Sequence, residues 1–335
     1  MPAWVETELT RLVFSFFWSG KRELVARAAV VQPALFGGFS VVSVRFKVWA
    51  LLGQWVRRFA SSPSSWVSLM SFWFQSVLGV SPLVAFSRPF SVDSRALPPF
   101  YQSLILAWRK LDGSFATSRD CLVYASSSPL VCSPVVSMSS KSCYLYLLSE
   151  NMVQPRCVYK YELQFPNLDW PATWRTLSMF DLDRRVTDLN WKIAHGVLYT
   201  ARRLSLFGLS VSPFCFCGPQ VESLEHLFYY CPLAQSVLSW VQSLLFVFSP
   251  MSPVILLRHV LFGFKTSELI SVPWGFVYLL NVSKYCIWLC RNDYRFRNVR
   301  PGAVAVIASI KARLKFYLPL AFRRCKSFSP VVSVM

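Results

Sequence analysis

Apolar residues recur at helical spacing in several separate stretches of the chain. Near the N-terminus Leu9, Leu12, Val13, Phe16 and Phe17 share one face. Gly37-Gly38 marks a turn, and Arg45 to Phe59 reads as a second helix. Its face is Val48, Leu51, Leu52, Trp55, Val56 and Phe59, with Lys47, Arg57 and Arg58 elsewhere. Residues 61–98 are rich in Ser and contain Pro63, Pro82, Pro89 and Pro98, which predicts loops with short helices. A short helix is expected over Phe100 to Lys110. Residues 112–142 have the weakest periodicity and read as a linker or poorly ordered segment, and order resumes over Lys141 to Leu148. Trp170, Trp174, Leu177, Leu182, Val186, Leu189, Trp191, Ile193 and Leu198 predict two or three helices between Pro166 and Phe207. Ser236 to Phe248 and Pro273 to Asn292 read as apolar helices. Ala303 to Leu318 is amphipathic: Val306, Ile310, Leu314 and Tyr317 share a face, and Lys311 and Lys315 sit one turn apart on another. No internal repeat is visible. The fold class is mainly α, helical segments joined by irregular Ser/Pro-rich loops.

Hydrophobic residues make up 54% of the chain, so a membrane location has to be weighed. Two stretches, Phe59 to Ser87 and Leu227 to Leu257, carry no Asp, Glu, Lys or Arg. Each has the length to span a bilayer. Both are interrupted by Ser, Gln and Pro, including Pro63, Pro82, Pro232, Pro250 and Pro253, which argues against spanning helices. The N-terminus carries Glu6 and Glu8 where a secretory signal would be basic, so an intracellular protein with reduced thiols is expected, nucleus and cytoplasm left open.

Charge changes the picture more. The net charge is +19, from 35 Lys and Arg against 16 Asp and Glu. Eleven basic residues fall between Lys284 and Lys326 with only Asp293 opposing them. An excess of this size favours polyanions through counterion release, so RNA or DNA is the expected partner. The other readings are a solvated basic face or a patch for an anionic membrane surface.

Seven of the ten cysteines, Cys121, Cys132, Cys143, Cys157, Cys286, Cys290 and Cys325, read as small buried apolar residues. The other three belong to Pro213-Phe-Cys215-Phe-Cys217-Gly218 and Glu222-Ser-Leu-Glu225-His226-Leu227-Phe228-Tyr-Tyr-Cys231-Pro232. Cys215, Cys217, His226 and Cys231 offer three thiolates and an imidazole, the donor set of a closed, four-coordinate structural zinc site. One residue separates the first pair, tighter than the usual two to four. Gly218 permits a sharp turn directly after it. The expected cofactor is therefore structural Zn2+, in a small CCHC knuckle.

Other candidates carry weaker chemistry. His195 in Trp191-Lys-Ile-Ala-His195-Gly196 lacks a nucleophile or carboxylate at a recognisable spacing and reads as a packed or capping residue. Asp181, Asp183 and Asp188 stand beside Arg184 and Arg185 and read as caps on a solvated face. His259 reads as surface or core filler. No phosphate-binding Gly-rich loop, nucleophile elbow or HExxH helix occurs, and no small-molecule substrate is expected.

The Cys-Phe-Cys-Gly, Glu-Ser-Leu-Glu-His-Leu-Phe and Cys-Pro segments together resemble the zinc-binding segment that follows the polymerase domain in LINE-type, non-LTR retrotransposon reverse transcriptases. Asn190-Trp191-Lys192-Ile-Ala-His195-Gly196-Val-Leu198 and Arg203-Leu204 are similar to the helices just before that segment. Phe16-Phe17-Trp18-Ser-Gly20-Lys21-Arg22 with Gly37-Gly38-Phe39 is similar to the stretch after palm and thumb. Ile287-Trp288 with Arg291-Asn292 is similar to a motif further downstream. The resemblance implies a post-thumb helical region over 1–110, a linker over 111–165, a reverse-transcriptase zinc-binding domain over 166–250 and a basic helical C-terminal region over 251–335. It implies help in holding template RNA or target DNA, with Arg202, Arg203, Arg291, Arg295, Arg297, Lys311 and Lys315 as candidate nucleic-acid contacts. Phe214, Phe216, Tyr229 and Tyr230 are candidates to stack on unpaired bases, the other reading being core around the zinc, favoured for Phe216 and Phe228. Polymerisation in the family needs adjacent aspartates that align two metals. None occurs here, nor an endonuclease constellation, so a non-catalytic, truncated accessory fragment is expected, with packing against a polymerase domain outside this chain. A decayed element-derived reading frame and, less so, a membrane-associated protein stay open.

Overall fold

The computed structural model describes residues 2–61, 64–86, 94–111, 113–115, 122–125, 132–134, 139–178, 183–300 and 302–324. The chain forms two compact units, Met1–Glu23 with Ser40–Val153, and Leu24–Phe39 with Gln154–Met335. Among the described residues no helix is long and apolar enough to cross a membrane.

The first unit contains α1 (Ala3–Phe17), α3 (Val44–Ser61), α4 (Ser65–Leu78), α5 (Pro82–Phe86), α6 (Pro99–Lys110) and α7 (Ser140–Glu150). α6 starts on Pro99, whose fixed φ suits the first helical position. α7 starts on a reciprocal Ser139–Ser142 capping box. Val56, Met70, Phe74, Phe86, Leu104, Ile105, Trp108 and Leu147 form its core. Trp108 lies in that core and donates its indole N–H to Phe86 O at 3.1 Å. Two expectations change here. The Ser-rich stretch carries the 14-residue helix α4, because Trp66, Met70, Trp73, Phe74 and Val77 keep helical spacing while serines occupy the outer face. In α1 only Phe14 is buried, and Leu9, Leu12 and Phe16 of the predicted apolar face are exposed.

The span 111–165, expected as a linker, holds α7, α8 (Arg156–Glu162) and a three-stranded antiparallel sheet. Its strands are β1 (Gly113–Phe115), β2 (Leu122–Ala125) and β3 (Cys132–Pro134), with Ser114 opposite Val123 and Tyr124 opposite Ser133. The expected helical class is otherwise met.

The second unit contains α2 (Arg27–Val31) and α8, then α9 (Trp170–Ser178), α10 (Arg184–Ala194) and α11 (Ala201–Leu206). α12 (Pro232–Phe248), α13 (Leu257–Phe262), α14 (Trp274–Arg297) and α15 (Ala303–Arg324) follow. One core draws on α8 to α10 and α12 to α15: Ile193, Leu227, Phe228, Val237, Val260, Leu279, Ile287 and Ile310 all belong to it. The regions 166–250 and 251–335 therefore share one core, and α14 runs through its middle with fifteen buried residues. Gly37 and Gly38 fit this unit for steric reasons. Gly37 has φ +84, and a Cβ on it would meet Trp174 Cε2 at 2.8 Å. A Cβ on Gly38 would lie 1.9 Å from Gln32 O.

Candidate metal centre

A narrow hairpin presents the first two cysteines. Phe214 and Val221 form an antiparallel bridge. Glu222 N donates to Pro213 O at 2.8 Å and Cys215 N to Gln220 O at 2.7 Å. Gly218 turns the tip with φ +152, a conformation L side chains rarely adopt. His226 opens a π-turn, His226–Tyr230, that ends at Cys231. Cys231 is the N-cap of α12, and Pro232 fills the helix's first position.

These pieces bring Cys215, Cys217, His226 and Cys231 together, with their ligand atoms all within 4.8 Å of one another. Cys215 Sγ lies 4.0 Å from Cys231 Sγ, and Cys217 Sγ lies 3.2 Å from His226 Nε2. Zinc–sulfur bonds of about 2.3 Å in a tetrahedron set sulfurs about 3.8 Å apart, so the four residues fit the ion. The single residue between Cys215 and Cys217 is accommodated because the hairpin folds back at Gly218.

Electrostatics favour one thiolate, at Cys231, while burial raises the Cys217 thiol. The Cys215 thiol hydrogen-bonds to Cys231 and holds it near 6, against burial, with help from the backbone N–H groups of Leu233 and Ala234. The same pairing pushes Cys215 far up. The two sulfurs thus share a proton that a metal would displace.

Sequence reasoning missed what holds the hairpin. Glu222 is fully buried, and its carboxylate accepts from Ala201 N at 2.7 Å and from Arg291 Nη2 and Nε at 2.7 and 3.0 Å. Arg295 Nη2 reaches the other carboxylate oxygen at 3.2 Å, and its guanidinium also donates to Ser212 O and Phe214 O. Arg291 and Arg295 were expected on a phosphate-binding face. Instead they tie α14 to the hairpin, because a buried carboxylate needs charged partners. Lys284, counted with the basic tail, is fully buried and donates to Val260 O at 2.8 Å, and burial lowers its pKa to about 7. No sequence signal pairs residues 69 positions apart.

The remaining candidate contacts stay at the surface to different degrees. Arg202, Lys311 and Lys315 are exposed. Arg297 is exposed and pairs with Asp293 at 3.2 Å. Lys311 lies over the Trp240 ring at 5.8 Å. Arg203 donates to Gly196 O at 2.6 Å. Phe214 and Tyr230 are exposed, Tyr229 is half-buried, and Phe216 packs beside Tyr294.

His195 is buried between Trp174 and Trp191, with Nε2 2.8 Å from Gly37 O and Nδ1 3.7 Å from Cys157 Sγ. Burial lowers the imidazole to about 4 and pushes the thiol up to about 12. The pair is held neutral, opposite to what a nucleophilic dyad needs. Asp183 caps α10 by accepting from Arg185 N at 2.9 Å, and Asp188 pairs with Lys192 at 2.6 Å. His259 is buried against Phe264 and Glu268. Cys143, Cys157, Cys286 and Cys290 are buried. Asp181, Leu182, Cys121, Cys325 and the side chains of Cys132 and Tyr317 lie outside the described residues.

The site so defined is a closed Cys3His cluster able to hold a metal ion. Residues 139–238 match the family of zinc-binding domains in reverse transcriptases, a stretch that runs from the start of α7 into α12 and includes all four ligands. That stretch of the chain is thus similar to the zinc-binding region of reverse transcriptases. A comparison with curated proteins found no match.

Proposed function

We propose that this chain is a non-catalytic nucleic-acid-binding accessory region of a LINE-type, non-LTR reverse transcriptase, holding RNA or DNA around a structural zinc site. The observation that carries the reading is the Cys3His cluster inside a segment matching the reverse-transcriptase zinc-binding family. Cys215, Cys217, His226 and Cys231 would hold the ion, which when bound cross-links a hairpin too small to bury a core of its own. The net charge of +19 supports a polyanionic partner, and Arg202, Arg297, Lys311 and Lys315 offer it exposed cations. Exposed Phe214 and Tyr230 beside the cluster suit stacking on unpaired bases. The sequence has no adjacent aspartates with which to align two metals, which supports a role without catalysis of its own. Trp4, Leu12 and Phe16 leave an apolar face on α1 that suits packing against a polymerase body.

The test is binding of the zinc-loaded full chain to end-labelled RNA and single-stranded DNA over a salt series. The reading predicts binding whose logarithm falls linearly with the logarithm of salt, with a slope of about −0.7 per phosphate contacted. Salt-independent binding, or none at low salt, overturns it.

A further inference from the structure

A cleft of about 610 Å³ opens in the second unit between α8, the turn after α10, α11 and residues 223–225. Its charged lining is Arg156, Lys160, Arg202 and Arg203 against one carboxylate, Glu225. Arg156, Lys160 and Arg202 form no ion pair among the described residues. Lys160 is exposed, with its ammonium 3.5 Å from Tyr161 Oη inside the cleft. Burial first, and then the fields of Arg203 and Arg202, lower its pKa, with Glu225 opposing only in part. Like charges crowded into a partly desolvated cleft repel one another, and a bound anion relieves that repulsion.

The backbone is shaped for the same end. Gly196 has φ +64, and a Cβ there would stand 2.4 Å from Tyr161 Oη and 2.6 Å from Lys160 Nζ. Only glycine lets the ammonium and the phenol approach this turn. Gly196 O also accepts from Arg203 Nη1 at 2.6 Å, which fixes that guanidinium 5.4 Å from the centroid of the Phe207 ring. Phe207 and Leu206 are exposed at the cleft edge. Cations beside an exposed aromatic face are the recognition chemistry of a single-stranded nucleic acid, a phosphate in the charged groove and a base on the ring. Glu225, which lines the cleft, directly precedes His226, so the metal centre holds one wall in place.

We propose that this cleft binds a backbone phosphate of single-stranded RNA or DNA, with the neighbouring base against Phe207. The proposal rests on the nucleic-acid reading above and assigns it a place.

The experiment uses the full zinc-loaded chain and fluorescent 12-nucleotide oligouridylate and oligothymidylate, followed by anisotropy at two salt concentrations. The cleft variant is Lys160→Gln with Arg202→Gln. The charge-matched control is Lys47→Gln on α3 with Lys141→Gln on α7, both exposed. Arg156→Gln, on the exposed first turn of α8, repeats the test where the fold is not at risk, and zinc content and circular dichroism report folding. The proposal expects the cleft pair to weaken binding about tenfold or more and to flatten the salt slope by about 1.4, Arg156→Gln to act in the same direction, and the control pair to cost less than about threefold. Equal weakening by the cleft and control pairs, in folded proteins, overturns the cleft and leaves the nucleic-acid reading standing. No binding of either oligonucleotide by the wild type overturns that reading and the cleft with it. Displacement of the oligonucleotide by polyglutamate at equal charge concentration would show a general acidic-polymer site and overturn the assignment to nucleic acid.

Discussion

Glu222→Ala strikes the contact that joins the metal hairpin to the helical core. Arg291, whose side chain is 3% exposed, would lose the buried carboxylate it pairs with. It would keep neutral partners, Asn292 Oδ1 at 3.0 Å and Tyr199 O at 3.4 Å. The Ala201 N–H would lose its 2.7 Å acceptor. Breaking a buried pair by deleting one partner costs about 3–5 kcal/mol, and the orphaned amide adds to the upper end of that range. Replacing both members by apolar residues is often neutral, so Glu222→Leu with Arg291→Met should recover most of the loss. The assay is urea unfolding of the zinc-loaded full chain, read by circular dichroism and, in parallel, by zinc release to a chelating dye. The single variant should release zinc at markedly lower urea, and the double-mutant cycle should give a coupling of about 2 kcal/mol or more. A single variant costing under about 1 kcal/mol, or a double variant costing the sum of its singles, would refute the reasoning.

The other predictions concern buried groups and tight backbone. His195 is held neutral in the fold at about 4 and titrates near 6.5 when unfolded, so the unfolded chain binds more protons between those values and stability falls as pH drops through that window. The loss approaches about 3 kcal/mol, and His195→Gln should unfold with a visibly flatter pH dependence between pH 7 and 4.5. Lys284 is the opposite bookend: folded near 7 and unfolded near 10.4, it makes wild-type stability rise from pH 7 to 10. Lys284→Met should be more stable than wild type at pH 7, with the advantage shrinking as pH rises, and a Met variant less stable at pH 7 would contradict this. Gly38→Ala should destabilise by more than about 2 kcal/mol, because its Cβ would sit 1.9 Å from Gln32 O, whereas Gly208→Ala, at φ +77 with open space, should cost about 1 kcal/mol. Equal melting temperatures for the two alanine variants would count against the steric account.

The parts of this protein that could be read in sequence are those fixed by local spacing. The four ligands lie within seventeen residues and needed only a turn at Gly218 to converge. α12, α14 and α15 followed from apolar periodicity, and Val306, Ile310 and Leu314 are buried as that period requires. α4 was hidden because an uncharged helix with serines on its outer face has little polar contrast. The strands β1 to β3 are three or four residues long, too short for alternation to register. The basic tail misled for a different reason. A charge count treats every Arg and Lys as surface, while Arg291 answers a buried carboxylate across 69 residues and Lys284 lies inside the core. On α1 the period was right and the burial was not, since periodicity marks an apolar face without naming what covers it.

The most direct test of the central claim, a structural zinc at Cys215, Cys217, His226 and Cys231, is elemental analysis of the purified full chain beside Cys217→Ser and His226→Ala. The account predicts one zinc per chain in the wild type, none in either variant, and a matching loss of helical signal and of stability when a chelator strips the wild type. A folded wild type without zinc, whose stability a chelator leaves unchanged, would contradict it.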